Sequence, residues 1–189
     1  KHPRTAARGF EGAAAAADAT KARAIGRKRN TFGAAVGDVL LANGIDLARP
    51  EHARHLVKNV LERFQRIDVL VNAVGGYSGG KRVHEDELAN WEKMFSINLH
   101  TALNACRAVV PELVRQGSGR IVNVAARAAL TGVPTLAAYS ASKSAVIRLT
   151  ESLAGELKDL GITVNCVLPG TIDTPQNRKN YEDLVIQTF

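Results

Sequence analysis

From Val36 onward, apolar and polar positions sort into alternating short β-like runs and longer helical stretches. Asp38 to Leu41 is a short apolar run predicted as a strand, closed by the polar break Asn43-Gly44. Between Pro50 and Arg66, the residues Ala53, Leu56, Val57, Val60, Leu61 and Phe64 recur at helical spacing with charges between them, the pattern of an amphipathic helix. Ile67 to Val71 is a compact β-branched run, as expected of a strand buried on both faces of a parallel sheet. The alternation then repeats. Glu85 to Arg115 predicts a long helix, with Trp91, Met94, Phe95, Ile97, Leu99, Leu103 and Val109 among its apolar positions, and Gly117-Ser118-Gly119 ends it. Arg120 to Ala125 predicts a strand, Ala137 to Leu160 a helix stopped by Gly161, and Ile162 to Leu168 a last strand running into Pro169-Gly170.

Strand–helix alternation of this kind predicts an α/β fold, a parallel sheet with right-handed crossovers and helices on both faces. The regular pattern assigns residues 36–189 to one domain and leaves 1–35 as an irregular basic segment, in which Ala13 to Ala17 favour helix but offer no apolar stripe. A hydrophobic fraction of 46% and a charged fraction of 23% fit a folded, soluble chain. No apolar run reaches the roughly 18 residues a membrane span requires. Cys106 and Cys166 sit in apolar segments without paired spacing, so buried free thiols in a reducing cytoplasm are expected. Of the net charge of +7, residues 1–30 carry +6. With no aromatic interleaving or zinc-type spacing beside it, that charge reads as a solvated segment in preference to a nucleic-acid site, and no metal centre is expected.

Ligands of parallel sheets bind at the carboxyl ends of the strands, and several informative segments stand there. They are Asp46-Leu47, Asn72-Ala73-Val74-Gly75-Gly76, Ala125-Ala126-Arg127 and the run from Pro169 to Thr174. Gly75-Gly76 permits close backbone approach to a ligand, although taken alone it reads as an ordinary turn. Tyr139 and Lys143 stand four apart in Tyr-Ser-Ala-Ser-Lys and share one helix face. Tyrosine alone is a poor acid near neutrality, with a reference pKa of about 10. A neighbouring ammonium favours the phenolate and tunes the hydroxyl for proton transfer. The small residues between the pair leave room for another surface to pack closely. Asn98, polar within an apolar helix, reads either as a site residue or as a kink-forming hydrogen-bonder.

Taken together, Asp46-Leu47, Asn72 to Gly75, Asn98 in Ser-Ile-Asn-Leu, Ile121 to Val124, Tyr139 to Lys143 and Pro-Gly-Thr-Ile-Asp-Thr at 169–174 follow the order and approximate spacing of one family. Over about residues 44 to 180 the chain resembles the short-chain dehydrogenase/reductases. The resemblance implies a Rossmann-like, doubly wound sheet and an oxidoreductase dependent on NAD or NADP. Asp46, with Leu47 beside it, would meet the adenine, and Asn72, Val74 and Gly75 would line the adenosine ribose and the floor of the cofactor site. Lys143 would bind the nicotinamide ribose and tune Tyr139, the proton donor, while Asn98 would hold a water relaying protons from Lys143 to solvent. Pro169, Gly170, Ile172 and Thr174 would dock the carboxamide. The resemblance also implies a homodimer or homotetramer built on the two long helices.

Two departures stand out. The family places a serine at the position held here by Ala126, thirteen residues before the tyrosine, and alanine has no group with which to polarise a carbonyl. Thr131 is the nearby candidate to replace it. The segment from Ala125 to Leu130, the Gly75-Gly76-Tyr77 turn and the run from Leu168 to Arg178 resemble a dihydropteridine reductase-like branch that does without this serine. That makes a pterin-like or other quinonoid acceptor the expected substrate, beside small carbonyl compounds. The family's opening strand and Gly-x-x-x-Gly-x-Gly turn, which hold the cofactor pyrophosphate, are not reproduced by Gly9 and Gly12 or by Gly33 and Gly37. The sheet is therefore expected to be incomplete at both ends, the chain being a piece of a longer protein or one altered near its start. A catalytically inactive scaffold is the rival expectation. Arg27-Lys28-Arg29 could favour NADP by meeting its 2′-phosphate.

Overall fold

The computed structural model describes residues 31–34 and 45–172. Four strands, β1 (Thr31–Ala34), β2 (Val69–Asn72), β3 (Gly119–Val124) and β4 (Ile162–Val167), form one sheet in that spatial order. All three pairings are parallel. Helix α1 (Pro50–Phe64) lies between β1 and β2, α2 (Leu88–Phe95) and α3 (Thr101–Gln116) between β2 and β3, and α4 (Ala137–Leu157) between β3 and β4. The parallel, Rossmann-like sheet is therefore present, with one difference from expectation. Its first strand falls at Thr31–Ala34, inside the segment read as irregular, because pairing with β2 supplies order that the local pattern did not announce. The strand expected at Asp38 to Leu41 lies outside the described residues, as do the basic cluster Arg27-Lys28-Arg29 and most of the glycines compared with the phosphate-binding turn.

The helices gather over one face. Leu70, Ile121, Ile162 and Val164 project from the strands into a buried cluster with Val57 of α1, Ala105, Cys106, Val109 and Leu113 of α3, and Leu157 of α4. The alternate positions Arg120, Thr163, Asn165 and Val167 are exposed. Among the described residues the helices thus cover one side of the sheet.

Local chemistry explains the helix limits. Pro50 occupies the first turn of α1, where its missing N–H costs nothing, and Gln65 closes the helix in the left-handed region. Gly117 ends α3 at φ 64° and Gly161 ends the turn after α4 at φ 71°. A side chain at Gly161 would strike the Gly117 carbonyl, so these two glycines also let the two chain reversals pack together. The helical run from Leu88 to Gln116 is not uniform. A π-helical turn at Ser96–His100 joins α2 to α3, and Thr101 Oγ1 donates to the Ile97 carbonyl there at 2.8 Å.

Between sheet and helices runs a polar rung. Asn72 and Asn123 are register partners on β2 and β3, and Asn72 Nδ2 donates to Asn123 Oδ1 at 2.8 Å. Asn123 Nδ2 donates in turn to Thr150 Oγ1 of α4 at 2.9 Å, and Thr150 Oγ1 donates to the Val146 carbonyl at 2.7 Å. Removing one member leaves buried partners unsatisfied. Asn123→Ala is expected to lower unfolding stability by about 2–4 kcal/mol, with urea denaturation as the measurement.

Candidate active site

Three segments converge at the carboxyl ends of β2 and β3. The first is the turn after β2. Gly76 N–H donates to Asn98 Oδ1 at 2.9 Å, and Asn98 Nδ2 donates back to the Gly76 carbonyl at 3.1 Å. The second is the π turn that carries Asn98, a residue 1% exposed. The third is α4, whose Ser142 Oγ accepts from Asn98 Nδ2 at 3.0 Å and donates to the Tyr139 carbonyl at 2.8 Å. Single π turns inside helices recur at functional sites because they re-aim a side chain by one position. Asn98 sits where the helix departs from α geometry, and its side chain binds the strand-end turn. The small residues between Tyr139 and Lys143 admit this contact, with Ser142 buried against the amide.

Gly75 shows how tight the convergence is. A Cβ built there would lie 2.8 Å from Asn98 Oδ1 and 2.9 Å from Lys143 Nζ. A side chain cannot occupy that space, so the turn demands glycine for close approach. Lys143 is 6% exposed, and its Nζ donates to the Val124 carbonyl at the end of β3 at 2.9 Å. An ammonium has three donors, so one partner leaves two for a ligand. Burial pushes the Lys143 ammonium below the ordinary lysine value of 10.5, offset in part by the nearby Cys166.

Tyr139 faces a different space, a cavity of about 430 Å³ whose walls include Tyr77, Ala126, Arg127, Pro169 and Gly170. That volume falls within the range of small-molecule sites. The Tyr77 ring stands edge-on to Tyr139 with centroids 5.1 Å apart. The Arg127 N–H donates to the Pro169 carbonyl at 3.0 Å and joins the segments after β3 and β4. Thr131 lines a separate cavity beside Trp91 and Val133, not the one that holds Tyr139; it is not placed to replace the serine.

The remaining expected residues divide. Asp46 forms a turn in which its Oδ1 accepts from Ala48 N–H at 2.9 Å and its own N–H donates to His52 Nδ1 at 2.9 Å. Leu47 is buried beside Ala53, with Val74 packed on the pair. Asn72 is turned into the core toward Asn123 and Cys106, so its side chain does not reach the crevice. Ile172 is 56% exposed, and Thr174 lies outside the described residues. Cys106 is buried, its thiol pushed up to about 12 by desolvation, whereas Cys166 is only half-buried.

The sequence reading missed Asn104, whose Nδ2 donates to the Leu47 and Ala48 carbonyls at 3.0 and 2.9 Å and fixes the Asp46 loop to α3. It also missed Ser144, whose Oγ donates to the Ala129 carbonyl at 2.7 Å and fixes the turn after Ala126. An asparagine within an apolar helix was the available signal for Asn104.

A parallel sheet whose strand tips hold a glycine turn, a buried lysine and a cavity tyrosine defines a Rossmann-type α/β protein. The chain belongs to the short chain dehydrogenase family, whose sequence profile matches residues 4–184. Among its relatives, 2-(R)-hydroxypropyl-CoM dehydrogenase of Xanthobacter autotrophicus is 36% identical over 146 residues, covering 76% of this chain and 58% of the relative. D-beta-hydroxybutyrate dehydrogenase of Rhizobium meliloti is 30% identical over 144 residues, covering 76% and 55%. The chain thus spans a little over half the length of these relatives. Solved structures that resemble it include ElxO with NADP bound, at TM-score 0.70 and 29% identity over 72% of this chain and 55% of the other. NAD+-bound xylitol dehydrogenase is similar at TM-score 0.69 and 32% identity, over 71% and 52%. No helix among the described residues is long and apolar enough to cross a membrane.

Two outcomes follow from the geometry. Gly75→Ala forces Asn98 or Lys143 from its bonds and is expected to destabilise the fold by about 1–3 kcal/mol, read as a lowered denaturation midpoint. Lys143 releases its proton at lower pH when folded than when unfolded. Between those two values the unfolded chain binds more protons, so stability rises with pH and levels off above the ordinary lysine value. Subtracting the Lys143→Met curve from that of the parent protein over alkaline pH should isolate this rise; a flat difference would contradict the burial of the ammonium.

Proposed function

We infer that the chain is the catalytic part of an NAD(P)-dependent oxidoreductase that reduces a carbonyl, imine or quinonoid carbon, with Tyr139 as proton donor. The observation that carries this reading is the Gly75 turn, pressed against Asn98 and Lys143 so closely that a methyl group would fill the gap. The fit to a nicotinamide ribose is supported by the two Lys143 donors left unused among the described residues. A bound reduced nicotinamide supplies the hydride. Tyr139 gives its proton to the oxygen or nitrogen of the substrate, so that the double bond gains one hydrogen at each end. The Lys143 ammonium, one turn along α4, favours the phenolate left behind. Asn98 spends its side-chain N–H groups on Gly76 and Ser142 and its Oδ1 on the Gly76 N–H, so the water that returns a proton through Lys143 would be held on its backbone carbonyl. Pro169, Gly170, Ile172 and Thr174 are the segment assigned to the carboxamide, and Asp46 and Leu47 to the adenine. Asn72 contributes its backbone alone, with Val74 and Gly75, to the ribose side.

Ala126 favours an acceptor whose reduction depends on protonation more than on carbonyl polarisation. A pterin-like quinonoid ring meets that requirement, and the aromatic wall formed by Tyr77 and Tyr139 suits a planar molecule. Ala126 also supports the rival reading, a scaffold that keeps the fold and the dimerising helices without turnover. Titration of the purified chain with NADH and NADPH, followed by coenzyme fluorescence, tests cofactor binding, and turnover of NADH or NADPH separates the two. Weak binding is expected, because no glycine-rich pyrophosphate turn is recognisable in the sequence; tight micromolar binding would overturn that reading of the first residues. Where turnover is detected, Tyr139→Phe should lower it by about 10²–10⁴-fold. Retention of most activity in that variant removes Tyr139 from the role.

A further inference from the structure

We propose that Arg127 makes the Tyr139 cavity a site for an anionic substrate, a small acceptor molecule that carries a carboxylate or equivalent oxyanion beside the carbon to be reduced. The inference rests on the reading of this cavity as the substrate site, and among the acceptors proposed for it favours a carboxylate-bearing carbonyl compound over an uncharged pterin-like ring. Four observations lead to it. Arg127 lines the same cavity as Tyr139 and directly follows Ala126, so a positive charge stands next to the position where a hydroxyl is missing. Among the described residues no aspartate or glutamate lines that cavity. Among the described residues the guanidinium has no ion pair and no hydrogen bond, so its five donors are open to a ligand. Its placement is also built into the fold. The side-chain stem lies across Gly170, with Cδ 3.7 Å and Nη1 3.9 Å from where a Cβ would stand.

The backbone beneath it is fixed at three points. Arg127 N–H donates to the Pro169 carbonyl at 3.0 Å, Ala129 N–H to the Ala126 carbonyl at 3.0 Å, and Ser144 Oγ of α4 to the Ala129 carbonyl at 2.7 Å. A guanidinium carried on this fixed backbone has a planar fork that matches a carboxylate edge to edge. Orientation of the substrate by its anion would aim the reducible carbon at Tyr139. That supplies positioning in a cavity that lacks the usual carbonyl-polarising hydroxyl, and it selects among acceptors by charge.

The test is a binding comparison on the full chain, read by isothermal titration, with oxamate as the anionic probe and oxamide as its neutral isostere. The parent protein should bind oxamate at least about tenfold more tightly than oxamide, the size expected of one charge-assisted contact. Arg127→Met should bring that ratio close to one, and Arg127→Lys, which keeps the charge but not the fork, should restore part of it. The thermal midpoint of each variant should match that of the parent, since the side chain is exposed and has no partner among the described residues. A ratio near one in the parent protein, binding of neither probe, or a preference that survives in Arg127→Met each overturns the proposal. The redox reading fails separately: oxamate selectivity that depends on Arg127, without oxidation of NADH by any oxo acid, would leave the anion site standing and remove the hydride transfer.

Discussion

Everything at the strand tips depends on one buried amide. Asn98 is inserted between the turn after β2 and the first turns of α4, and its side chain is bonded to both. A regular α-helix from Leu88 to Gln116 would present that position differently. The π turn at Ser96–His100 brings it to Gly76. Because the amide is buried, its hydrogen bonds are obligatory: each unmade one would cost about 1–3 kcal/mol. Gly75 is thereby fixed against Lys143, and Lys143 against the end of β3. Three elements far apart in the chain are locked by groups that could not be left unpaired.

The same arrangement divides the chemistry by depth. Lys143 lies beneath the surface, where burial lowers its proton affinity and one donor is committed to the Val124 carbonyl. Tyr139, one turn nearer the start of α4, faces the open cavity. A lysine at the surface would be screened by water and would influence a neighbouring phenol little. Placed in a low-dielectric layer with the phenol at its edge, such a charge would act over a full helical turn, as the proposed role of Lys143 requires. The cost is a buried cation, a local loss of stability of the kind that functional sites impose on their folds.

Much of this was legible in the sequence because period and punctuation agree. The runs around Val69–Asn72, Gly119–Val124 and Ile162–Val167 are rich in β-branched residues, the last two begin at or just after a glycine, and each is a strand. Tyr139 and Lys143 could be placed on one helix face from spacing alone. Three things were not legible. Thr31–Ala34 is a strand because β2 pairs with it, a tertiary effect with no local signal. The π turn leaves the apolar repeat of its helix almost unchanged, so only Asn98 itself hints at it. The side-chain direction of Asn72 depends on which face of β2 the helices cover. Motif position suggests a cofactor contact, whereas strand alternation carries the side chain into the core.

That last point bears on how the site is held in register. Asn72 and Asn123 lie opposite each other at the tips of β2 and β3, immediately before the segments that carry Gly75 and Ala126. A slip of one residue between parallel strands would turn one of the two amides out of the core. The other would be buried with Cys106, a thiol kept protonated by desolvation, as its neighbour. Apolar pairs at the same level, such as Leu70 with Ile121, discriminate less sharply, because many apolar neighbours satisfy them equally. The polar rung therefore specifies alignment where the apolar core supplies cohesion. It does so at the level from which the Gly75 turn and the Ala126–Arg127 segment depart toward Lys143 and Tyr139, so an error in strand register would separate the groups on which the proposed chemistry depends.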